Sequence, residues 1–316
     1  MPDTSKCPIC NNNAKRIWHK YVSHGIVYKP YRCNLCDLEF WYPRHVDKDV
    51  YEDSYEGFYD AFHNGTNKLA SWCQWFLYGY PGNGNGKKLL DVGCGSGEFL
   101  QAAARNGFSL WGIDIDAKST MIAKTKIDGN VYNNSLEEIH TQSILNGSSF
   151  DVITSFEVLE HQDDPRLFLQ DINYFLKPNG YFFGSVPNRS RLLANIDRFV
   201  TKGDLPPHHF LWWNIKSLKH ALQSNGFTNV QIHTAEKLSV INLIGLLQDL
   251  FIPKRRVQAI KKTILQSNSQ HNLLLNRLKN TRNFFLYPIV LPLYFLQYMF
   301  CNKEKELYFS AQKLNH

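Results

Sequence analysis

Asp91-Val92-Gly93-Cys94-Gly95-Ser96-Gly97 sets a carboxylate two residues before three glycines at every second position. Glycines so spaced allow positive φ and close approach of a ligand to the main chain. A helix starting at the third glycine offers free N–H groups. The stretch reads as a cradle for a nucleotide or nucleoside. It is not the Gly-x-Gly-x-x-Gly that holds a pyrophosphate at a helix N-terminus, and Asp91 would repel a pyrophosphate while favouring an amine or a sulfonium. Asp114, 23 residues after Asp91 at the end of the next strand signal, is placed for a ribose diol.

Three histidines could carry acid–base chemistry: His161, His208 and His209. A hydroxyl acceptor must lose a proton, and histidine takes one near neutral pH. His209, just before the apolar run that ends in Trp212-Trp213, is the favoured base, with His208 and His161 as the other candidates and a capping role as the rival for each. Glu157-x-x-Glu160-His161 offers ligands at i, i+3 and i+4; on one helical face they could hold a divalent cation that polarises a hydroxyl. Cys7-Pro8-Ile9-Cys10 and Cys33-Asn34-Leu35-Cys36 lie 22 residues apart, the pattern of a closed Cys₄ zinc site with a structural role.

Elements must position these groups. Strand signals fall at 88–93, 109–114, 130–133, 150–155 and 180–186, and helix signals at 97–106, 117–126, 136–145 and 165–177. The alternation predicts an open α/β sheet, in which Asp91, Asp114 and Ser155-Phe156-Glu157 share the ligand-binding carboxyl ends of the strands. Asn214 is expected to cap a helix over 215–225 that stops at Gly226. Strand signals return at 228–234 and 306–313. Upstream, Trp72, Trp75 and Phe76 have helical spacing and are expected to pack a leading helix on the sheet, while Tyr51 or Tyr55 could fold over a ligand.

The seven cysteines are odd in number and have no secretory leader beside them; a reduced, cytoplasmic setting is expected. The net charge of +7 is concentrated: between Phe251 and Phe300 there are eight Lys or Arg and no Asp or Glu. With 17 uncharged residues at 284–300 interrupted by two prolines, the segment 237–305 reads as a basic and apolar helical insertion. It is suited to lie on an anionic membrane surface rather than to span it; a buried helix pair or a dimer face would use the same residues. The basic residues are not interleaved with a stacking platform, which ranks nucleic acid low. The division expected is a ribbon over 1–46, an aromatic lead-in and linker over 47–86, and a main domain over 87–316. Oligomeric state is not legible.

Residues 87–235 resemble the class I S-adenosylmethionine-dependent methyltransferases. The motifs are Leu89–Gly97, Gly112-Ile113-Asp114-Ile115-Asp116, Phe150–His161 and Leu176-Lys177-Pro178-Asn179-Gly180-Tyr181. The resemblance implies a Rossmann-like seven-stranded sheet, with the zinc ribbon before it and the insertion before the last strand. It implies further that Gly93, Gly95 and Gly97 meet the methionyl part of the cofactor, Asp91 its amine and Asp114 the ribose, with Ile115 among the cofactor-binding residues. Asn134, Ser135 and Leu136 would meet the adenine, and Ser155 and Glu157 would face the cofactor. The ribbon and the His-His loop resemble sugar- and polysaccharide-modifying members, which makes the expected acceptor a sugar hydroxyl of a cell-envelope glycan or its lipid-linked precursor. The Glu-x-x-Glu-His segment is similar to the metal-binding stretch of ubiquinone-biosynthesis O-methyltransferases, which makes a quinone-type lipid the second acceptor. A cofactor-binding protein without turnover, or a ribbon that binds nucleic acid, is the reading from another class.

Overall fold

The computed structural model describes residues 4–45, 69–191 except 129 and 148, 194, 198, 203–235 and 305–315. The tyrosines at 51 and 55 and the insertion, apart from residue 305, lie outside the described residues. No helix among the described residues is long and apolar enough to cross a membrane.

The chain opens with β1 (Thr4–Lys6), β2 (Asn13–Arg16), β3 (Tyr21–Ser23), β4 (Ile26–Cys33) and β5 (Glu39–Tyr42). Helix α1 (Ser71–Gly79) precedes an alternating run: β6 (Lys88–Val92), α2 (Glu98–Arg105), β7 (Ser109–Ile113), α3 (Ala117–Lys126), β8 (Asn130–Tyr132), α4 (Leu136–Thr141) and β9 (Phe150–Phe156). A 3₁₀ turn at Leu159–His161, α5 (Pro165–Phe175), β10 (Leu176–Pro187), β11 (Leu211–Trp212), α6 (Ile215–Ser224), β12 (Phe227–Ala235) and β13 (Glu306–Lys313) complete it.

The main sheet has seven strands in the order β12-β13-β10-β9-β6-β7-β8. β6 pairs parallel with β7 and β9, and β13 runs antiparallel to β10. The chain leaves β6 for β7 and β8 on one side and returns to β9 on the other, so strand order reverses between β6 and β9. That is where such sheets bind ligands, outside the carboxyl ends. Local chemistry fixes the helix starts. Ser135 and Glu138 form a reciprocal capping box on α4, Asp164 accepts from Arg166 N and Leu167 N ahead of Pro165 in α5, and Asn214 caps α6 as expected. The leading helix packs as its spacing predicts: Phe76 is fully buried and meets Phe183 and Phe99 edge-on at 4.9 and 5.3 Å.

The ribbon's sheet takes its last strand from elsewhere. β1-β2-β4-β5 continue into β11, and β3 pairs β4. β11 belongs to the loop that carries the two histidines. Contacts divide the chain into one unit of Met1–Arg189, Pro206–His233 and Glu306–His316, and another of Ser190–Leu205 and Thr234–Lys305. Within the second, Arg191 Nη2 and Arg198 Nε both meet Asp204 Oδ2, at 2.9 and 2.8 Å.

Candidate active site

The glycine turn between β6 and α2 is built as its spacing demands. Gly93, Gly95 and Gly97 have φ of 79°, 50° and 84°, in the left-handed region that only glycine enters at little cost. Gly97 is the N-cap residue of α2; a Cβ there would lie 3.1 Å from Ala123 of α3. Gly93 N and Cys94 N donate to Ile113 O, which seats the turn on the end of β7.

Two carboxylates face this turn. Asp91 is buried, and Thr154 Oγ1 donates to its Oδ1 at 2.7 Å. Burial pushes its pKa up to about 8, with Asp114 adding to the shift and Thr154 opposing it. Asp114 Oδ2 accepts from Gly95 N and its Oδ1 from Asp116 N, both at 2.8 Å. Burial raises Asp114 to about 6 against these bonds. Asn133 Nδ2 donates to Asp114 O at 3.0 Å, tying the start of the α4 loop to the same corner. The Ser135 hydroxyl serves as the α4 cap, and Leu136 is buried. Ser155 is buried, and Glu157 Oε1 accepts from Ser185 Oγ at 2.8 Å. Thr154, Ser185 and Asn133 escape sequence reading. Thr154 is found only through its sheet pairing opposite Asp91.

Glu157 corrects the expected metal set. It sits at φ 56° and outside the 3₁₀ turn, so it shares no helical face with Glu160 and His161. The ligand-type atoms that come together belong to Glu160, His161 and His209, all within 4.8 Å of one another. His161 Nε2 lies 3.8 Å and His209 Nε2 3.9 Å from Glu160 Oε1, and the two imidazoles meet edge-on at 4.7 Å. Those separations exceed a hydrogen bond and stay under the roughly 4.4 Å limit for two donors on one ion at about 2.2 Å, so the carboxylate is within reach of an ion shared with either imidazole. His161 Nδ1 pairs with His208 O at 2.7 Å; a neutral ring that donates there carries its proton on Nδ1 and not on Nε2. Burial holds His161 well below its ordinary value and lowers His208 to about 4, the latter with help from His209 and the ribbon's His24. His208 contributes its carbonyl to the cluster through His161 Nδ1. The turn carrying Glu160 abuts the glycine cradle, since a Cβ on Gly93 would collide with Val158.

The four ribbon sulfurs also converge. Cys7 and Cys36 Sγ lie 3.6 Å apart, Cys10 and Cys33 3.4 Å, and Cys10 and Cys36 3.9 Å, near the spacing around a tetrahedral ion with Zn–S of about 2.3 Å. The bond from Cys36 lowers the Cys7 thiol to about 5, and the same bond raises Cys36. The donor set fits zinc.

A family described as methyltransferase domains matches residues 63–232, more than half of the chain. The chain belongs to the methyltransferase-domain family. A ubiquinone biosynthesis O-methyltransferase from Actinobacillus pleuropneumoniae serotype 5b is 37% identical over 111 residues, covering 33% of this chain and 47% of its own. One from Cronobacter sakazakii is 36% identical over 147 residues, covering 40% and 59%. The methyltransferase chain thus spans about half the length of the curated relatives it matches. A SAM-dependent methyltransferase from Archaeoglobus fulgidus superposes with a TM-score of 0.52 at 20% identity over 81% of this chain and 100% of its own. A Haemonchus contortus phospholethanolamine N-methyltransferase 2, in complex with phosphomonomethylethanolamine and S-adenosylhomocysteine, gives 0.53 at 16% over 94% and 71%. The fold of this methyltransferase domain is that of the class I SAM-dependent enzymes.

Proposed function

We propose that this methyltransferase carries a methyl group from S-adenosylmethionine to a hydroxyl oxygen of its acceptor. The observation that carries the reading is the Glu160–His161–His209 cluster on the turn that abuts the Gly93–Gly97 cradle. The sulfonium supplies an already activated methyl, so the protein's task is alignment, exclusion of water and removal of the hydroxyl proton. Asp91 attracts the cationic methionyl end, Asp114 accepts from the ribose hydroxyls, and the glycine turn admits the ligand to the main chain. As the C–O bond forms and the S–C bond breaks, His209 Nε2 takes the acceptor's proton. Should the cluster hold a divalent cation instead, Glu160, His161 and His209 would be its ligands, and the ion would polarise the hydroxyl.

The acceptor we favour is a saccharide hydroxyl, supported by the ribbon joined to the His-His loop. A phenolic hydroxyl of a quinone-type lipid is the second reading, favoured by the printed names of the curated relatives. Calorimetric titration with S-adenosylhomocysteine followed by a methyl-transfer screen of nucleotide sugars, lipid-linked saccharides and quinols separates them. His209→Ala should keep cofactor affinity within about twofold and lower turnover about a hundredfold or more, in the range general acid–base catalysis contributes. Normal turnover by that variant would place the base elsewhere. Chelation that removes turnover, restored by added magnesium or manganese with the ribbon zinc retained, would favour the cation.

Protonation supplies a separate check. Asp91 and Asp114 both have folded values above the ordinary 3.8, to about 8 and about 6. The unfolded chain gives up these protons first, so their contribution to stability falls as pH rises from about 4 to about 8. A cationic cofactor favours the ionised form of Asp91, whose charged or ionisable neighbours are Asp114, Cys73 and Cys94. Binding at pH 7 should therefore release protons, and affinity should rise with pH up to about 8. Calorimetry in two buffers of different ionisation enthalpy reads the release. Asp91→Asn should weaken binding and lose the Asp91 share of that release; an unchanged release would contradict the assignment.

A further inference from the structure

We infer that Asp37, the residue after the last cysteine of the ribbon, is a positioning residue that fixes the loop bearing His208 and His209. The inference rests on reading His209 as an acceptor-side group. Asp37 follows Cys36 in the left-handed region at φ 66°, a conformation that aspartate tolerates. Asp37 Oδ2 accepts from Arg189 Nη2 at 2.5 Å and from Asn214 Nδ2 at 2.6 Å, and its carbonyl accepts from Arg189 Nη1. Arg189 lies two residues beyond the end of β10, and Asn214 two residues beyond the end of β11. Arg189 N donates to Trp213 O at 2.7 Å. One carboxylate therefore ties the chain just after β10 and just after β11 to a cysteine knuckle, and Asn214 at the same time caps α6 through Ser217.

The ribbon then supplies the loop's missing strand partner. β11 is only two residues long, and its register on β5 sets Leu211 opposite Phe40 and Trp212 opposite Glu39. Phe210 stands between the two halves of the site: its N donates to Glu160 O at 3.0 Å and its carbonyl accepts from Trp41 N at 2.9 Å. Trp212 meets Trp41 edge-on at 5.3 Å. A two-residue strand cannot hold itself; its order comes from these partners. The cysteine knuckle that zinc would lock thus governs the acceptor half of the site, while the cofactor half is built on β6, β7 and β9 of the main sheet.

Hydrogen exchange on the full, zinc-loaded chain tests this without an acceptor. Asp37→Ala should speed exchange of amides within 206–214 about tenfold or more, in the manner of a local opening, and leave 88–116 unchanged. Asp37→Asn tolerates the left-handed turn and keeps an acceptor, so it should restore much of the protection. Arg189→Gln, which spares the knuckle itself, should reproduce the loss if Asp37→Ala does not fold. S-adenosylhomocysteine affinity should stay within about twofold throughout. Unchanged exchange at 206–214, or an equal rise at 88–116, would overturn the inference. Failure of the wild-type protein to bind S-adenosylhomocysteine would overturn the methyl-transfer reading and leave the exchange result standing.

Discussion

Asp114→Ala is expected to weaken S-adenosylhomocysteine binding by about a hundredfold or more while the chain remains folded. The same carboxylate serves the turn, where it accepts from Gly95 N and Asp116 N, and in the function proposed above it also takes the ribose. Hydrogen bonds to a charged acceptor contribute roughly 1.5–3 kcal/mol each. Losing the ligand's bonds and loosening the turn together costs about 3 kcal/mol, or two decades in Kd. Asp114→Asn keeps one acceptor oxygen and should lose less. Calorimetric titration reads both, with thermal melting as the control for folding. A Kd for the alanine variant within about threefold of the wild type would remove Asp114 from the site.

Gly184→Ala is expected to cost about 3 kcal/mol, lowering the melting temperature by roughly 6–12 °C. Gly184 lies in β10 opposite Ser155 of β9 and Phe309 of β13. An added Cβ would collide with Ser155 O and the Phe309 ring, whose Cε1 would lie 2.7 Å away. Phe309 is fully buried, and Ser155 O is backbone, so neither can yield without parting the ladder. Gly79→Ala, at the end of α1 with nothing within 4 Å, is the matched control and should melt within a degree or two of the wild type. Equal melting of the two variants would contradict the packing argument.

The sheet was legible because its signals are local. Apolar runs at 88–92 and 150–156, the glycine turn between Asp91 and Glu98, and the cap at Asn214 each act within a few residues, and the observed elements start within a residue of the sequence signals, β10 excepted. The burial of Asp91 and Asp114 beside the glycine turn follows for the same reason, each lying at the carboxyl end of a strand signal. The elements were clear enough to fix the order of strands only through the resemblance, because pairing between distant strands leaves no mark in either one. Gly184 reads as an ordinary strand residue, and only its neighbours on β9 and β13 make it costly to replace.

The histidine site divides along the same line. Residue types and spacing set the chemistry on offer: a cradle for a cationic nucleoside, two cysteine knuckles and three histidines able to take a proton. Only the tertiary structure decided which of them meet. Glu157 was expected in a helical triad, but its left-handed backbone turns it toward Ser185, and His209, 48 residues beyond His161, takes the third place. Likewise the ribbon reads as a separate module, yet its open β5 edge is satisfied by β11. The physical reason is common to both. Spacing along the chain fixes neighbours within a turn of helix or a tight knuckle, whereas a strand edge or a carboxylate cluster is completed by whichever distant residue folding brings to it.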